Sequence, residues 1–210
     1  MKITVIGAGN MGSAFVSQLT RAGHQVSVKA RDGGKASAVA AANPGARVVD
    51  ISGAAKGADA VILATGYTDA VSALQSVGDL KGQVIIDITN PLTADYMGLT
   101  IGHSTSAAEE IAKAVPGAEV VKAFNTVFAQ VLAEGADFGN GRKVEVFVAS
   151  DSERAKQTAT AIAESIGFAV VDAGGLKNAR YLEPLAGLNI YLGYGAGLGT
   201  AIAPTWVRKA

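Results

Sequence analysis

Gly7, Gly9 and Gly12 are the residues whose types and spacing speak most directly of chemistry. They follow the β-branched run Lys2-Ile3-Thr4-Val5-Ile6 and lead into a helical run from Ser13 to about Ala22, which places Gly-x-Gly-x-x-Gly in a strand, turn and helix frame. Each glycine has its own task there. Gly7 makes the tight turn, Gly9 lets the backbone approach a pyrophosphate, and Gly12 lets the helix pack close to the strand. The unbonded N–H groups and the positive dipole end of the helix then face the phosphates. With 26 glycines in the chain the hexapeptide alone would arise by chance, so it is the frame that makes it a dinucleotide-binding fingerprint.

The end of the second strand selects between dinucleotides. An acid there binds the ribose 2′-hydroxyl of NAD, whereas a neutral residue with a nearby arginine admits the 2′-phosphate of NADP. The chain reads Lys29-Ala30-Arg31-Asp32-Gly33-Gly34-Lys35. We place Ala30 in the acid's slot with Arg31 directly after it, and Lys35 as a further cation. Asp32 is the competing candidate, because it lies 20 residues beyond Gly12. The reading favoured is NADP, since Asp32 falls two residues past the strand as read.

These residues need elements to position them, and the chain alternates extended and helical patterns, as a doubly wound sheet with right-handed crossovers does. Strands are expected at Gln25 to Ala30, Arg47 to Ile51, Ala60 to Ala64, Val84 to Thr89, Glu119 to Ala123, Val144 to Ala149 and Ala169 to Asp172. Helices are expected at Ala36 to Asn43, Ser106 to Val115 and Ser152 to Ile166, and Gly139-Asn140-Gly141 marks a turn. The expected fold is α/β, a Rossmann-type, mainly parallel sheet of about eight strands. Residues 1–175 form the NAD(P)-binding domain and 176–210 a short helical extension packed on it.

In such sheets ligands bind beyond the carboxyl ends of the strands. That rule puts Thr65, Gly66 and Tyr67 at the cleft after strand four, with Tyr67 as a stacking aromatic or a loop residue covering core. After strand five, Pro91 cannot extend the ladder, and Asn90 is a cleft or turn residue. Phe124 and Asn125 follow strand six as an apolar wall and a polar contact, with helix capping by Asn125 or Thr126 as the alternative. Ser106-Ala107-Ala108-Glu109 is a capping box, its glutamate reaching back to a free N–H. His103 lies just ahead of that helix as a cleft-edge candidate.

Composition narrows the function. The chain has 210 residues, 49% of them apolar, and a formal net charge of zero, which argues against nucleic acid and acidic membrane surfaces as partners. It has no cysteine, so disulfides, thiolate catalysis and sulfur-ligated metals are out, and no other metal cluster is expected. No signal segment is read at the N-terminus, and a cytoplasmic location is expected. Leu185 to Pro204 carries no charge but holds five glycines, Asn189 and two tyrosines. It reads as a buried helix and a glycine-rich tail rather than a membrane span, and such an apolar end makes a homodimer the expectation.

With these residues in hand, the sequence resembles the NADP oxidoreductase family that depends on the deazaflavin coenzyme F420, a family that also includes the cytosolic reductase domain of STEAP metalloreductases. The resemblance rests on Gly7 to Gly12, Ala30-Arg31, Asp87-Ile88-Thr89-Asn90-Pro91-Leu92, Ser106 to Glu109 and Val121-Lys122-Ala123-Phe124-Asn125-Thr126. It continues through Asp172 to Leu176, Ala179-Arg180 and Leu182-Glu183-Pro184. It implies NADPH across the strand ends and a flat acceptor, F420 or a flavin, stacked on the nicotinamide. It carries cofactor roles onto Gly7, Gly9, Asn10, Met11, Gly12, Ala30 and Arg31, and cleft roles onto Asn90, Pro91, Phe124 and Asn125. One departure is Thr65-Gly66, where many members have an apolar residue and proline.

Hydride transfer between two redox cofactors needs closeness and alignment and little proton chemistry from side chains. The chain, with no evident base and orienting acid, suits an NADPH-dependent oxidoreductase acting on a deazaflavin or flavin. A reductase of a small carbonyl or imine compound would need a proton donor, for which Tyr67 and His103 are the candidates. It would also need a sizeable helical second domain, and fewer than forty residues follow Asp172. A non-enzymatic NADPH-binding sensor is the third reading.

Overall fold

The structure, a computed structural model, describes residues 1–50, 53–139, 141–207 and 209. Its frame is β1 (Lys2–Ile6), α1 (Asn10–Arg21), β2 (Gln25–Lys29), α2 (Gly33–Ala42), β3 (Ala46–Val48), β4 (Ala60–Leu63), α3 (Tyr67–Gln75), β5 (Val84–Asp87), α4 (Ala107–Ala114) and β6 (Glu119–Lys122). The six strands form one sheet in the order β3-β2-β1-β4-β5-β6, all pairs parallel. The strand order reverses between β1 and β4, and ligands bind in the crevice at such a switch point. Helices cover both faces, so β4 and β5 are buried at every residue and read as unbroken apolar runs apart from Asp87.

α1 packs through Gly12, Phe15, Val16 and Leu19, which recur at helical spacing on one stripe. The chain continues through α5 (Ala129–Glu134), β7 (Glu145–Val148), α6 (Glu153–Ser165), β8 (Ala169–Asp172) and α7 (Ala179–Ile190), which runs on into a π-helical turn, Tyr191–Gly195. Inward, α7 buries Leu182, Glu183, Ala186 and Asn189.

Several expectations change. The sheet has six strands, not about eight: β7 and β8 pair with each other as a separate parallel ladder. A single antiparallel bridge, Lys122 to Ala149, ties that ladder to β6, so β7 diverges from the sheet after one exchange of hydrogen bonds. Tyr67 is not a loop residue but the first residue of α3, with Gly66 as its N-cap. The buried helix expected from Leu185 is buried on one side only, for Leu188, Tyr191, Tyr194 and Leu198 are exposed. The third strand stops at Val48, and the expected end at Ile51, like Asn140 of the Gly139 to Gly141 turn, lies outside the described residues. Among the described residues no helix is long and apolar enough to cross a membrane.

Candidate functional site

The three glycines of the first turn differ in what their surroundings demand. Gly7 has φ +122°, and a Cβ there would lie 2.2 Å from the Ala64 carbonyl oxygen at the end of β4. A Cβ on Gly12 would lie 2.0 Å from the Gly7 carbonyl oxygen. Both are therefore fixed by packing. Gly9 has an ordinary φ of −80°, and a Cβ there meets nothing within 4 Å. The protein's own packing does not require a glycine at this position, which borders a cleft at the N-terminus of α1. No side chain caps that helix, so its first-turn N–H groups are available to an anion.

The cleft beside Gly9 encloses about 470 Å³ between the ends of β1, β2 and β4, and Gly7, Ala30, Arg31, Lys35, Thr65 and Gly66 all line it. β2 ends at Lys29, one residue earlier than expected, which leaves Ala30 at the strand end and moves Asp32 further out. Asp32 is the N-cap of α2, its carboxylate accepting from Lys35 N at 3.1 Å. The carboxylate thus has a structural partner, while the Arg31 side chain is 91% exposed and forms a loose ion pair with Asp69 at 3.6 Å. Thr65 Oγ1 is buried without a hydrogen-bond partner among the described residues.

On the far side of the glycine turn, a second cavity of about 260 Å³ lies between Asn10, Met11 and the residues after β5 and β6. Asn90 and Asn125 form its floor as a closed pair. Asn90 Nδ2 donates to the Asn125 carbonyl at 2.9 Å, and Asn125 Nδ2 donates to Asn90 Oδ1 at 3.0 Å and to Leu182 O at 2.9 Å. That leaves Asn125 Oδ1 and the neighbouring Thr126 Oγ1 buried and without a hydrogen-bond partner among the described residues. Burying polar atoms without partners is costly, and their place in the cavity wall suits a ligand amide.

Phe124 lines the second cavity and also reaches into the core. It holds φ +59°, and its ring is fully buried, edge-on to Phe15 at 5.0 Å and to Phe168 at 6.0 Å. The left-handed backbone turns the side chain into the core, so Phe124 anchors the loop that presents Asn125. Pro91 is likewise buried, its carbonyl accepting from Thr100 N at 2.7 Å. Tyr67 and His103, the proton-donor candidates, line neither cavity. Burial, then the charges of Glu110, Glu183 and Asp87, hold the Tyr67 phenol above its ordinary pKa. His103 is exposed, at φ +57°, beside Lys177 and Arg180 in a separate hollow.

One cluster escaped sequence reasoning. Lys122, wholly buried at the end of β6, places Nζ 2.7 Å from Asp87 Oδ2, 2.8 Å from Glu183 Oε1 and 2.7 Å from the Thr89 carbonyl. Burial alone would depress the lysine's pKa, but the two carboxylates outweigh it and raise it, so the ammonium stays charged. Asp87 Oδ1 accepts from Thr89 N at 2.8 Å, and the Glu183 carboxylate accepts from Ala107 N and Ala108 N at 2.9 and 3.2 Å. The Thr89 peptide is therefore gripped on both sides just ahead of Asn90. A lone acid in an apolar strand, Asp87, was the available signal; its partners lie far away in sequence.

The capping box also closes differently. Ser106 Oγ accepts from Glu109 N as expected, but the Glu109 carboxylate accepts from Ser106 Oγ and from Arg180 through Nε and Nη2 at 2.8 and 2.7 Å. Arg180, with the serine contact, holds Glu109 below the usual glutamate pKa. Two other first-turn N–H groups of this helix, those of Ala107 and Ala108, donate to Glu183.

The model of the family described as NADP oxidoreductase, coenzyme F420-dependent, matches residues 2–91. The F420-dependent NADP reductase of Methanothermobacter thermautotrophicus is 32% identical over 214 residues, covering 91% of this chain and 89% of that protein. Rat metalloreductase STEAP3 is 29% identical over 185 residues, which is 88% of this chain but only 36% of that longer protein. Among solved structures, a candidate F420-dependent NADP reductase from Arthrobacter sp. FB24 superimposes with TM-score 0.87 and 28% identity, over 99% of this chain and all of that one.

Proposed function

The chain belongs to the F420-dependent NADP reductase family, and on that premise we propose that it is an NADP-dependent oxidoreductase moving a hydride between NADP(H) and the deazaflavin F420. The observation that carries the reading is the uncapped start of α1, where Gly9 leaves open space between two cavities whose walls hold unpartnered buried oxygens. Bound there, NADPH supplies the hydride from its nicotinamide ring. The first-turn N–H groups of α1, at Asn10, Met11 and Gly12, hold the pyrophosphate, with the helix dipole adding to the attraction. Arg31 and Lys35 take the 2′-phosphate beside Ala30, and Thr65 Oγ1 bonds the same half of the molecule. Asn125 Oδ1 and Thr126 Oγ1 receive the carboxamide and so fix which ring face is presented.

What the chain contributes to rate is alignment, worth several kcal/mol where two ring systems must meet face to face. No side chain is assigned a proton-transfer role, for Tyr67 and His103 stand away from the floor formed by Asn90 and Asn125. The test mixes the protein with NADPH and F420, follows the nicotinamide absorbance, and repeats it with FMN and a panel of carbonyl and imine compounds. Rapid loss of absorbance with F420 is expected. Turnover with a carbonyl or imine in its place would overturn the reading.

A homodimer in the cytoplasm belongs to the same proposal. Exposed Tyr181, Leu188, Trp206 and Val207 support the dimer, and a monomer by light scattering at micromolar concentration would count against it.

A further inference from the structure

We propose that Tyr96 and Tyr194 are the residues that grip the flat ring of the hydride acceptor, and so decide which acceptors enter; the inference rests on the proposed function, with the acceptor's ring stacked over the nicotinamide at the rim of the second cavity. Both phenols line that cavity, and both are left largely in solvent, 63% and 64% exposed. Two large aromatic side chains exposed together around one cavity form the kind of contiguous apolar surface that marks a ligand-binding groove.

The backbone under each is built for the purpose. Tyr96 holds φ +63°, a conformation that a bulky residue rarely adopts. Strain of this kind persists only where the surroundings over-determine it, and such positions cluster at ligand clamps. Here they do so repeatedly. Tyr96 N donates to Thr93 O, Met97 N to Asp95 Oδ1, and Gly98 N to Thr93 Oγ1, while Thr93 N donates to Gly98 O. The turn spends five residues holding one tyrosine outward.

Tyr194 sits in the π-helical turn Tyr191–Gly195, a rare geometry that recurs at functional sites. Its ring lies edge-on to Phe128 at 5.8 Å and 85°, which fixes its orientation. The turn reaches this position because Gly193 and Gly195 permit it: a Cβ on Gly193 would lie 2.8 Å from Phe128 Cζ, and one on Gly195 2.8 Å from the Tyr191 ring. That same Cβ would lie 3.5 Å from Met97 Sδ, so the two tyrosine-bearing turns meet.

Between them lies the floor already described, whose Asn125 Oδ1 and Thr126 Oγ1 the proposed function gives to the nicotinamide carboxamide. Two aromatic rims outside a nicotinamide ring held on that floor select a second planar ring that stacks on it. The cavity, at about 260 Å³, is small beside the roughly 300–1,000 Å³ of sites that enclose a whole drug-sized ligand. It takes ring systems and leaves the rest of a longer molecule outside.

The test uses Tyr96→Leu and Tyr194→Leu, each beside its phenylalanine counterpart, and reads quenching of F420 and FMN fluorescence on the NADP-loaded protein together with NADPH affinity. Each leucine variant should weaken F420 binding about tenfold, and the double variant about a hundredfold, because ring stacking is lost. Each phenylalanine variant should stay within about twofold, with NADPH affinity unchanged in all. Wild-type affinity for F420 in both leucine variants, or an equal loss for NADPH, would overturn the clamp and leave the hydride reading standing. Failure of F420 turnover, with tyrosine-dependent FMN binding retained, would overturn the acceptor assignment and leave the clamp. A wild-type protein that binds neither ring would remove the clamp.

Discussion

α1 and α4 begin at the same edge of the sheet, and each presents first-turn N–H groups that its own helix cannot bond. At α4 the protein supplies the partners itself. Ser106 caps the helix, and the Glu183 carboxylate, brought in by α7, accepts from Ala107 N and Ala108 N. At α1 a glycine stands where the serine would be, no side chain caps the helix, and the space ahead of it is open. One helix start has been spent on holding the fold together, and the other is kept for a ligand. Damage to the first should cost stability, and damage to the second should cost affinity.

The largest effect belongs to the closed end. Lys122→Met would leave Asp87 and Glu183 buried side by side with no cation, at a cost of about 3–5 kcal/mol in unfolding free energy, measured by urea denaturation. The wild-type lysine, its pKa raised, contributes its stability fully below its ordinary value of 10.5 and loses it only above that. A variant as stable as wild type at pH 7 would show that the cluster is dispensable to the fold and would break the comparison.

At the open end, Gly9→Val should lower NADPH affinity by a hundredfold or more on an order-of-magnitude view, with the side chain standing where the pyrophosphate approaches. Stability should fall by no more than about 1 kcal/mol, the ordinary cost of an apolar residue at an N-cap. Calorimetric titration with NADPH and a thermal melt on the same sample separate the two. Unchanged affinity would remove this turn as the site.

The open end was the legible one. Strand, glycine turn and helix are contiguous, so β1 and α1 could be read from local spacing, as could the parallel order that follows from alternating elements. The closed end was not, because its three charges come from β5, β6 and α7 and meet only in the fold. Lys122 follows the apolar Val120 and Val121 at the end of β6, and nothing local marks the two carboxylates that it meets. α3 was missed for a related reason: Gly66 looked like loop, although its φ of −66° is that of an ordinary helix entry. For Phe124, which lines the second cavity, nothing local signals that its backbone is left-handed or that its ring is fully buried.

A smaller loss of affinity would sharpen the open end's specificity. Arg31→Ala should weaken NADPH roughly ten- to hundredfold, the worth of a partly exposed, charge-assisted contact to a phosphate. NADH should be nearly untouched, and Lys35 should keep some residual preference. Because Asp32 caps α2, Asp32→Ala should lower the melting temperature while leaving NADH affinity alone. Loss of NADH affinity in that variant, with no effect from Arg31→Ala, would mean that the cleft is built for NAD.

The smallest effect returns to the closed end. Glu109 binds Arg180 through two parallel hydrogen bonds and accepts a third from Ser106. Those partners hold its pKa below the ordinary glutamate value of 4.5. A carboxylate whose folded pKa is depressed contributes stability that is complete above its unfolded pKa and disappears as pH falls through the folded one. Glu109→Gln removes that contribution at every pH, since an amide can replace one of the hydrogen bonds but not the charge. At pH 7 the variant should melt about 2–4 °C below wild type, as fits the loss of a single, largely covered ion pair worth about 1 kcal/mol in a chain of this length. The gap should hold down to about pH 4.5 and close below it, as the wild-type carboxylate protonates in turn. NADPH affinity should not move, for the pair lies at the start of α4 and lines neither cavity. A gap that persists undiminished in acid would show that Glu109 acts through shape and hydrogen bonding rather than charge. A fall in NADPH affinity would show that the two helix starts are coupled, and that the division between holding the fold and holding the ligand is not clean.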